Sequence, residues 1–217
     1  MLPYNKELFE QFIQSFDYEF IEKLHSVDVS LDGSTFYYDS GNVAGDLDSM
    51  RVQVLSHIEA LEEIKPKRIL EIGTHKAQYC YLVKKVIPEV KIVTFCIDSS
   101  SQTCVDMVNE YYGENFIEFH CGDSVKILSD YNTEESFDLA WVDGGHSYEV
   151  ALSDLSNCAR LGIKTILLDD TVTYPDRVGR AMIDFNQKYG YNLISTTDDC
   201  RGIAWIEKIE EKTDENS

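Results

Sequence analysis

The run FDLAWVDGGHSYEV, residues 137–150, closes an apolar stretch on Asp143 and then, past two glycines, presents His146. A carboxylate accepts hydrogen bonds or binds a cation, and an imidazole changes charge close to neutral pH. A second run, KTILLDD at residues 164–170, ends in the same way on Asp169 and Asp170. Two apolar runs that both finish on acids point to one site. That site could hold a donor-rich or positively charged group, with His146 able to move a proton.

Such a site needs a scaffold that brings the ends of separate runs together. From residue 48 onward, helical and strand patterns alternate. Helices are expected at 49–64, 77–87, 101–112, 124–131, 148–160 and 176–189, the last ending near Gly190. Strands are expected at RILEIG, KIVTFCID, FIEFHCGD, FDLAWVD and KTILLDD. YNLISTT and GIAWIEK follow as late strands with no helix between them. This β-α repetition predicts an α/β fold: a doubly wound, mostly parallel seven-stranded sheet with helices on both faces and an antiparallel edge strand. The regular domain spans 48–208 and the tail 209–217 is expected to be disordered. Residues 1–47 form an N-terminal helical extension, in which Phe9, Phe12, Ile13, Phe16, Phe20 and Leu24 share one helical face. The turn-rich segment LDGSTFYYDSGNVAGD then reads as a hairpin or flap, with Phe36, Tyr37 and Tyr38 able to cover a substrate or to pack in the core.

The 217 residues are 43% hydrophobic, enough for one domain with a full core. With 39 acidic residues against 19 basic ones, the formal charge is -20. That field repels nucleic-acid backbones and anionic membranes, so neither is an expected partner, but it does not exclude a cation. No segment has the apolar length of a membrane span, and the first residues carry no signal-peptide pattern. The six cysteines form no C-x-x-C pair, which argues against a zinc site. Cys96 and Cys121, inside apolar runs, read as small core residues. A reduced, cytoplasmic setting fits these features.

In doubly wound sheets the ligand lies beyond the C-terminal ends of the strands. The first five expected strands end on Glu71–Gly73, Asp98, Asp123, Asp143 and Asp169–Asp170. One such acid could simply cap the next helix, as Asp123 before SVKIL would; five in succession are less readily explained as caps.

The segments ILEIGTHKA, CID, CGDS, VDGGHSYEVALSDL and LLDD, in this order across residues 65–207, resemble class I S-adenosylmethionine-dependent methyltransferases. The DGGHSYE segment followed by DD is most similar to O-methyltransferases of the macrocin type, which carry a D-G-x-H-S-Y-E segment, and more distantly to catechol-type O-methyltransferases. The resemblance implies a Rossmann-like methyltransferase fold and S-adenosylmethionine as cofactor. Glu71 and Gly73 would match the loop around its methionine part, with His75 beside it. Asp98 would accept from the ribose hydroxyls, and Asp123, with Ser124 alongside, would face the adenine. It further implies a divalent cation, Mg2+ foremost, held by Asp143, Asp169 and Asp170. The substrate would be a small-molecule hydroxyl. His146 stands at the offset from Asp143 where catechol-type enzymes place a lysine, so it is a candidate general base; a role in ordering the loop is the equal alternative. The chain departs from the family pattern E-x-G-x-G-x-G by placing His75 and Ala77 at the second and third glycine positions.

Two rival functions stand beside this. An NAD-type oxidoreductase would need G-x-G-x-x-G after the first strand, and GTHKAQ lacks it. A non-catalytic binding domain that keeps the fold is compatible with the altered glycine loop but leaves the three candidate metal acids unexplained. Whether the chain forms a homodimer is open.

Overall fold

A computed structural model describes residues 15–29, 47–197 and 201–210. The runs β1 (Arg68–Ile72), β2 (Lys91–Cys96), β3 (Ile117–Cys121), β4 (Leu139–Val142) and β5 (Thr165–Leu168) pair in parallel. β6 (Tyr191–Thr196) and β7 (Ala204–Lys208) complete a seven-stranded sheet of order β3-β2-β1-β4-β5-β7-β6. β7 runs antiparallel to both β5 and β6, so the late strand pair closes this edge as a hairpin-like unit. Every residue of β4 is buried, because helices cover both faces; the run is therefore continuously apolar rather than alternating.

The helices are α1 (Tyr18–His25), α2 (Leu47–Ile64), α3 (Gln78–Val86), α4 (Ser101–Tyr112), α5 (Ser124–Asp130), α6 (Tyr148–Arg160) and α7 (Arg180–Tyr189). Their apolar stripes make two cores. One joins α1 to α4 with Ile69, Leu139 and Trp141. The other joins α5, α6 and α7 with Leu70, Ile72, Val142 and Leu168. Alternate residues of β1 thus point to opposite cores, as the pleat requires.

Three expectations are corrected. The apolar periodicity from Phe9 to Leu24 does not belong to one uninterrupted helix. The Asp17 side chain accepts from the Phe20 amide at 3.0 Å and starts α1 afresh, while Phe16 precedes the cap. Phe9, Phe12, Ile13, the 31–46 flap and residues 211–217 lie outside the described residues. Second, the helix expected at 176–189 begins as a π-helical turn, Pro175–Gly179, before α7. A side chain at Gly179 would put its Cβ 2.9 Å from the Thr171 carbonyl, so the chain passes too close there for anything but glycine. Third, Cys121 is exposed at the end of β3, whereas Cys96 is buried. Among the described residues, five cysteines are free thiols, and no helix is long and apolar enough to cross a membrane.

Candidate functional site

The strand order reverses between β1 and β4: the chain moves outward from β1 to β2 and β3, then restarts on the other side at β4. This switch point opens a crevice beyond the strand ends. The Gly73 amide donates to the Phe95 carbonyl at 2.8 Å, the Asp143 amide to the Ile72 carbonyl at 2.8 Å, and the Asp169 amide to the Val142 carbonyl at 3.0 Å. Those bonds carry the parallel register to the ends of β1, β4 and β5 and bring their acids to one edge.

The loop after β1 forms one wall. Gly73 has φ +106°, and a Cβ there would fall 1.9 Å from the Asp143 carbonyl oxygen. His75 and Ala77, which replace family glycines, adopt φ 43° and 54°. The loop therefore keeps a left-handed backbone at all three places, at a strain of roughly 1–2 kcal/mol for each non-glycine residue. The far end of this wall is braced by α1: Lys76 donates to the His25 carbonyl at 2.6 Å, and the Gln78 amide lies 2.8 Å from the His25 imidazole.

Glu71 does not face the open crevice. It is buried against α3, where Thr94 and Cys80 donate to Oε2, and Oε1 has no hydrogen-bond partner among the described residues. Burial raises its pKa to about 7, against the opposing hydrogen bonds from Thr94 and Cys80. Between the ordinary carboxylate range and pH 7 the folded chain therefore holds a proton that the unfolded chain has released. Stability falls as pH rises through that window and levels off above it. Relative to wild type, Glu71→Gln is expected to gain roughly 2–3 kcal/mol of stability between pH 5 and pH 8. Urea unfolding at the two pH values measures this, and parallel pH profiles for the two proteins would contradict it.

Asp98 is buried at the end of β2, where its Oδ1 accepts from the Ser100 amide at 2.8 Å and the Ser100 hydroxyl at 2.6 Å. Asp123 caps α5 by accepting from the Val125 amide at 3.1 Å, as its position before SVKIL suggests. Both stand at the same sheet edge, on the β1 side of the acids of β4 and β5.

Asp143, His146 and Asp170 come together: each offers a ligand atom within 4.8 Å of the others. His146 Nε2 lies 2.9 Å from Asp170 Oδ2, and its ring stacks on Tyr174 with centroids 4.7 Å apart. Asp169 stands beside this group rather than in it. Its Oδ1 accepts from the Asp170 amide at 2.8 Å, and its Oδ2 is 3.9 Å from the Arg201 guanidinium. Burial and the charges of Asp169 and Asp170 push Asp143 well above the usual carboxylate range, with Arg201 opposing. Burial also works against the charge on Asp170, but hydrogen bonds from His146 and Thr173 outweigh it and hold that carboxyl low. Asp170 has φ 61°, a left-handed conformation that Asp tolerates better than most side chains. Crowded carboxylates whose ionisation is opposed by burial and by each other suit a divalent cation, which would supply the missing positive charge; the carboxylate oxygens fit Mg2+ or Mn2+ and leave the imidazole beside them.

Asp154, Tyr174 and Arg201 are neighbours of the site that the motif reading did not single out. Asp154 is fully buried on α6, with an oxygen 3.0 Å from where a Gly144 Cβ would be. Burial raises its pKa to about 7. One sequence signal was available. Ala151, Asp154, Leu155 and Cys158 share a helical face, so a carboxylate sits on an apolar stripe. Arg201 enters through tertiary pairing: the Val172 amide donates to its carbonyl at 2.8 Å, which fastens residues 201–202 to the loop that carries the acids.

Residues 70–171 match a family model described as a methyltransferase domain. No curated protein matches the sequence. Among solved structures, a methyltransferase of Podospora anserina bound to S-adenosylhomocysteine aligns with 97% of this chain and 99% of its own, at 18% identity and a TM-score of 0.64. The O-methyltransferase TomG of Streptomyces achromogenes, solved with S-adenosylmethionine and involved in tomaymycin synthesis, covers 97% of this chain and 93% of its own, at 15% identity and a TM-score of 0.60. An O-methyltransferase of Bacillus cereus in complex with S-adenosylhomocysteine covers 96% and 94%, at 15% identity and a TM-score of 0.58. The chain thus has the Rossmann-like methyltransferase fold.

Proposed function

We propose that the protein is an S-adenosylmethionine-dependent methyltransferase that O-methylates a small-molecule hydroxyl with the help of a divalent cation. The observation that carries this reading is the convergence of Asp143, His146 and Asp170 at the mouth of the β1/β4 crevice. The match of residues 70–171 to a methyltransferase domain and the cofactor-bound structural neighbours support it.

In this reading Asp98, Asp123 and Ser124 meet the nucleoside, and the left-handed loop from Gly73 to Ala77 holds the methionine end, with Glu71 bracing it from the core. Bound there, S-adenosylmethionine would supply an electrophilic sulfonium methyl group for an acceptor oxygen. Asp143 and Asp170, with Asp169 beside them, would hold a cation, which would supply the positive charge that makes a hydroxyl more acidic. His146 takes the proton: Asp170 accepts from Nε2–H, which leaves Nδ1 to receive it and fixes the ring's orientation. Tyr174 holds that ring from its face. Orientation of the two reacting centres contributes much of the rate in such a displacement.

His146→Ala is expected to slow methyl transfer by about 10²–10⁴-fold with little change in cofactor affinity, as for loss of a general base. S-adenosylhomocysteine release from a panel of hydroxylated acceptors, with and without EDTA, tests the whole reading. Turnover that EDTA leaves untouched would remove the cation's role, and an unchanged rate in His146→Ala would remove the base.

A further inference from the structure

Three arginines belong to the segments that follow Asp169 and Asp170 in the chain or pair with them: Arg177, Arg180 and Arg201. Two are engaged by carboxylates. Arg201 lies 3.9 Å from Asp169, and Arg180 lies 3.9 Å from Asp184 while covering the Tyr148 ring. Arg177 differs. Among the described residues its guanidinium makes no ion pair and no side-chain hydrogen bond; it lies over the face of Tyr174, 5.4 Å from the ring centroid. That same ring stacks on His146. An uncompensated guanidinium is therefore one aromatic ring away from the His146–Asp170 pair, in a chain of formal charge -20.

The position is built rather than incidental. The Arg177 amide donates to the Tyr174 carbonyl at 3.1 Å, and the Gly179 amide donates to the same carbonyl at 3.2 Å, so the π-helical turn fixes the backbone that carries both side chains. Turns of this kind recur at functional sites. The guanidinium's edge, free of protein acceptors, presents parallel N–H donors that match a carboxylate in two-point fashion.

We propose that Arg177 anchors a carboxylate on the acceptor, so that the substrate class is a hydroxy acid rather than a neutral alcohol or phenol. This rests on the methyltransferase reading of the site. A single unpaired arginine, separated from the His146–Asp170 pair by the Tyr174 ring, suits a monoanion. A phosphate dianion would meet the same acids with only one counter-charge. The carboxylate docks on the exposed edge of Arg177, the body of the acceptor passes the edge of the Tyr174 ring, and its hydroxyl reaches His146.

Calorimetric titration of the full chain, with S-adenosylhomocysteine and Mg2+ present, compares 3,4-dihydroxybenzoate with catechol as probes. Wild type is expected to bind the benzoate about tenfold or more tightly than catechol. Arg177→Gln should abolish that preference by weakening the benzoate alone, and Arg177→Lys should restore part of it. The side chain is exposed and makes no structural hydrogen bond, so a melting curve equal to wild type is expected for both variants. Equal affinities in wild type, a preference that survives Arg177→Gln, or no binding of the benzoate would each overturn the assignment. Titration of S-adenosylhomocysteine alone separates the two levels. Cofactor binding without a benzoate preference sinks this inference only, while absence of cofactor binding sinks the reading of the site and this inference with it.

Discussion

Asp143→Asn is expected to make the metal-free protein more stable and, at the same time, to remove both its stabilisation by Mg2+ and its catalytic turnover. Asp143 is held far from its ordinary ionisation by burial and by the charges on Asp169 and Asp170. An asparagine keeps the shape and removes the repulsion, which should add about 1–3 kcal/mol of stability, the scale of relieving a poorly compensated buried polar group. For a chain of this length each kcal/mol moves the melting temperature by about 2–4 °C. On the proposed function the same repulsion favours a bound cation in wild type, and a ligand that binds only the folded state stabilises it by mass action. The Mg2+-induced rise in melting temperature should therefore be present in wild type and absent in Asp143→Asn. Methyl transfer should fall by at least about 10³-fold, since cation assistance is worth several kcal/mol of barrier. Asp170→Asn should behave alike in its loss of Mg2+ response, and asparagine tolerates the left-handed backbone at that position. Melting curves with Mg2+ and with EDTA decide the matter. Wild type with no Mg2+ response, or a variant less stable than wild type in EDTA, would contradict the account.

Gly73→Ala is expected to cost about 4 kcal/mol or more, enough to leave little folded protein. Two independent causes coincide at this position. The backbone has φ +106°, which L-residues rarely adopt, and the new Cβ would be placed 1.9 Å from the Asp143 carbonyl oxygen. Backbone, not a flexible side chain, occupies that space, so the ends of β1 and β4 would have to part. The crevice and the acid cluster are built on that contact, so whatever folds should also lose cofactor binding. Gly113→Ala is the control. It has φ +70° with nothing within 4 Å of the added Cβ, and should cost only about 1–2 kcal/mol of left-handed strain. Equal losses at the two positions in chemical denaturation would show that the Gly73–Asp143 contact is not what matters.

The sheet was legible because its physics is local and repetitive. Apolar runs of strand length separated by amphipathic helices admit few arrangements, and parallel pairing then places every strand's last residue at one edge. Asp143, Asp169 and Asp170 were found that way, with no knowledge of side-chain direction. Direction is what the pattern could not supply. Asp169 turns toward Arg201, a residue from the β6–β7 connection that reaches the site only through tertiary pairing with residues 171–173. Glu71, read as a cofactor residue, faces the core beside Cys80 because strand alternation places it on the α3 side of the sheet. His75 and Ala77 looked like departures from a glycine pattern. Their φ values show that the loop keeps the conformation that glycine would favour and accepts the strain instead. The break before α1 was a capping signal in Asp17, hidden by the aromatic periodicity on either side of it.

The proposed function stands or falls with S-adenosylmethionine binding in the crevice between β1 and β4. Calorimetric titration of S-adenosylhomocysteine and of NAD into the wild-type chain, each with and without Mg2+, tests it most directly. Saturable one-to-one binding of S-adenosylhomocysteine that does not require Mg2+ is expected, with no measurable binding of NAD. No heat from S-adenosylhomocysteine at millimolar concentration, or tighter binding of NAD, would contradict it.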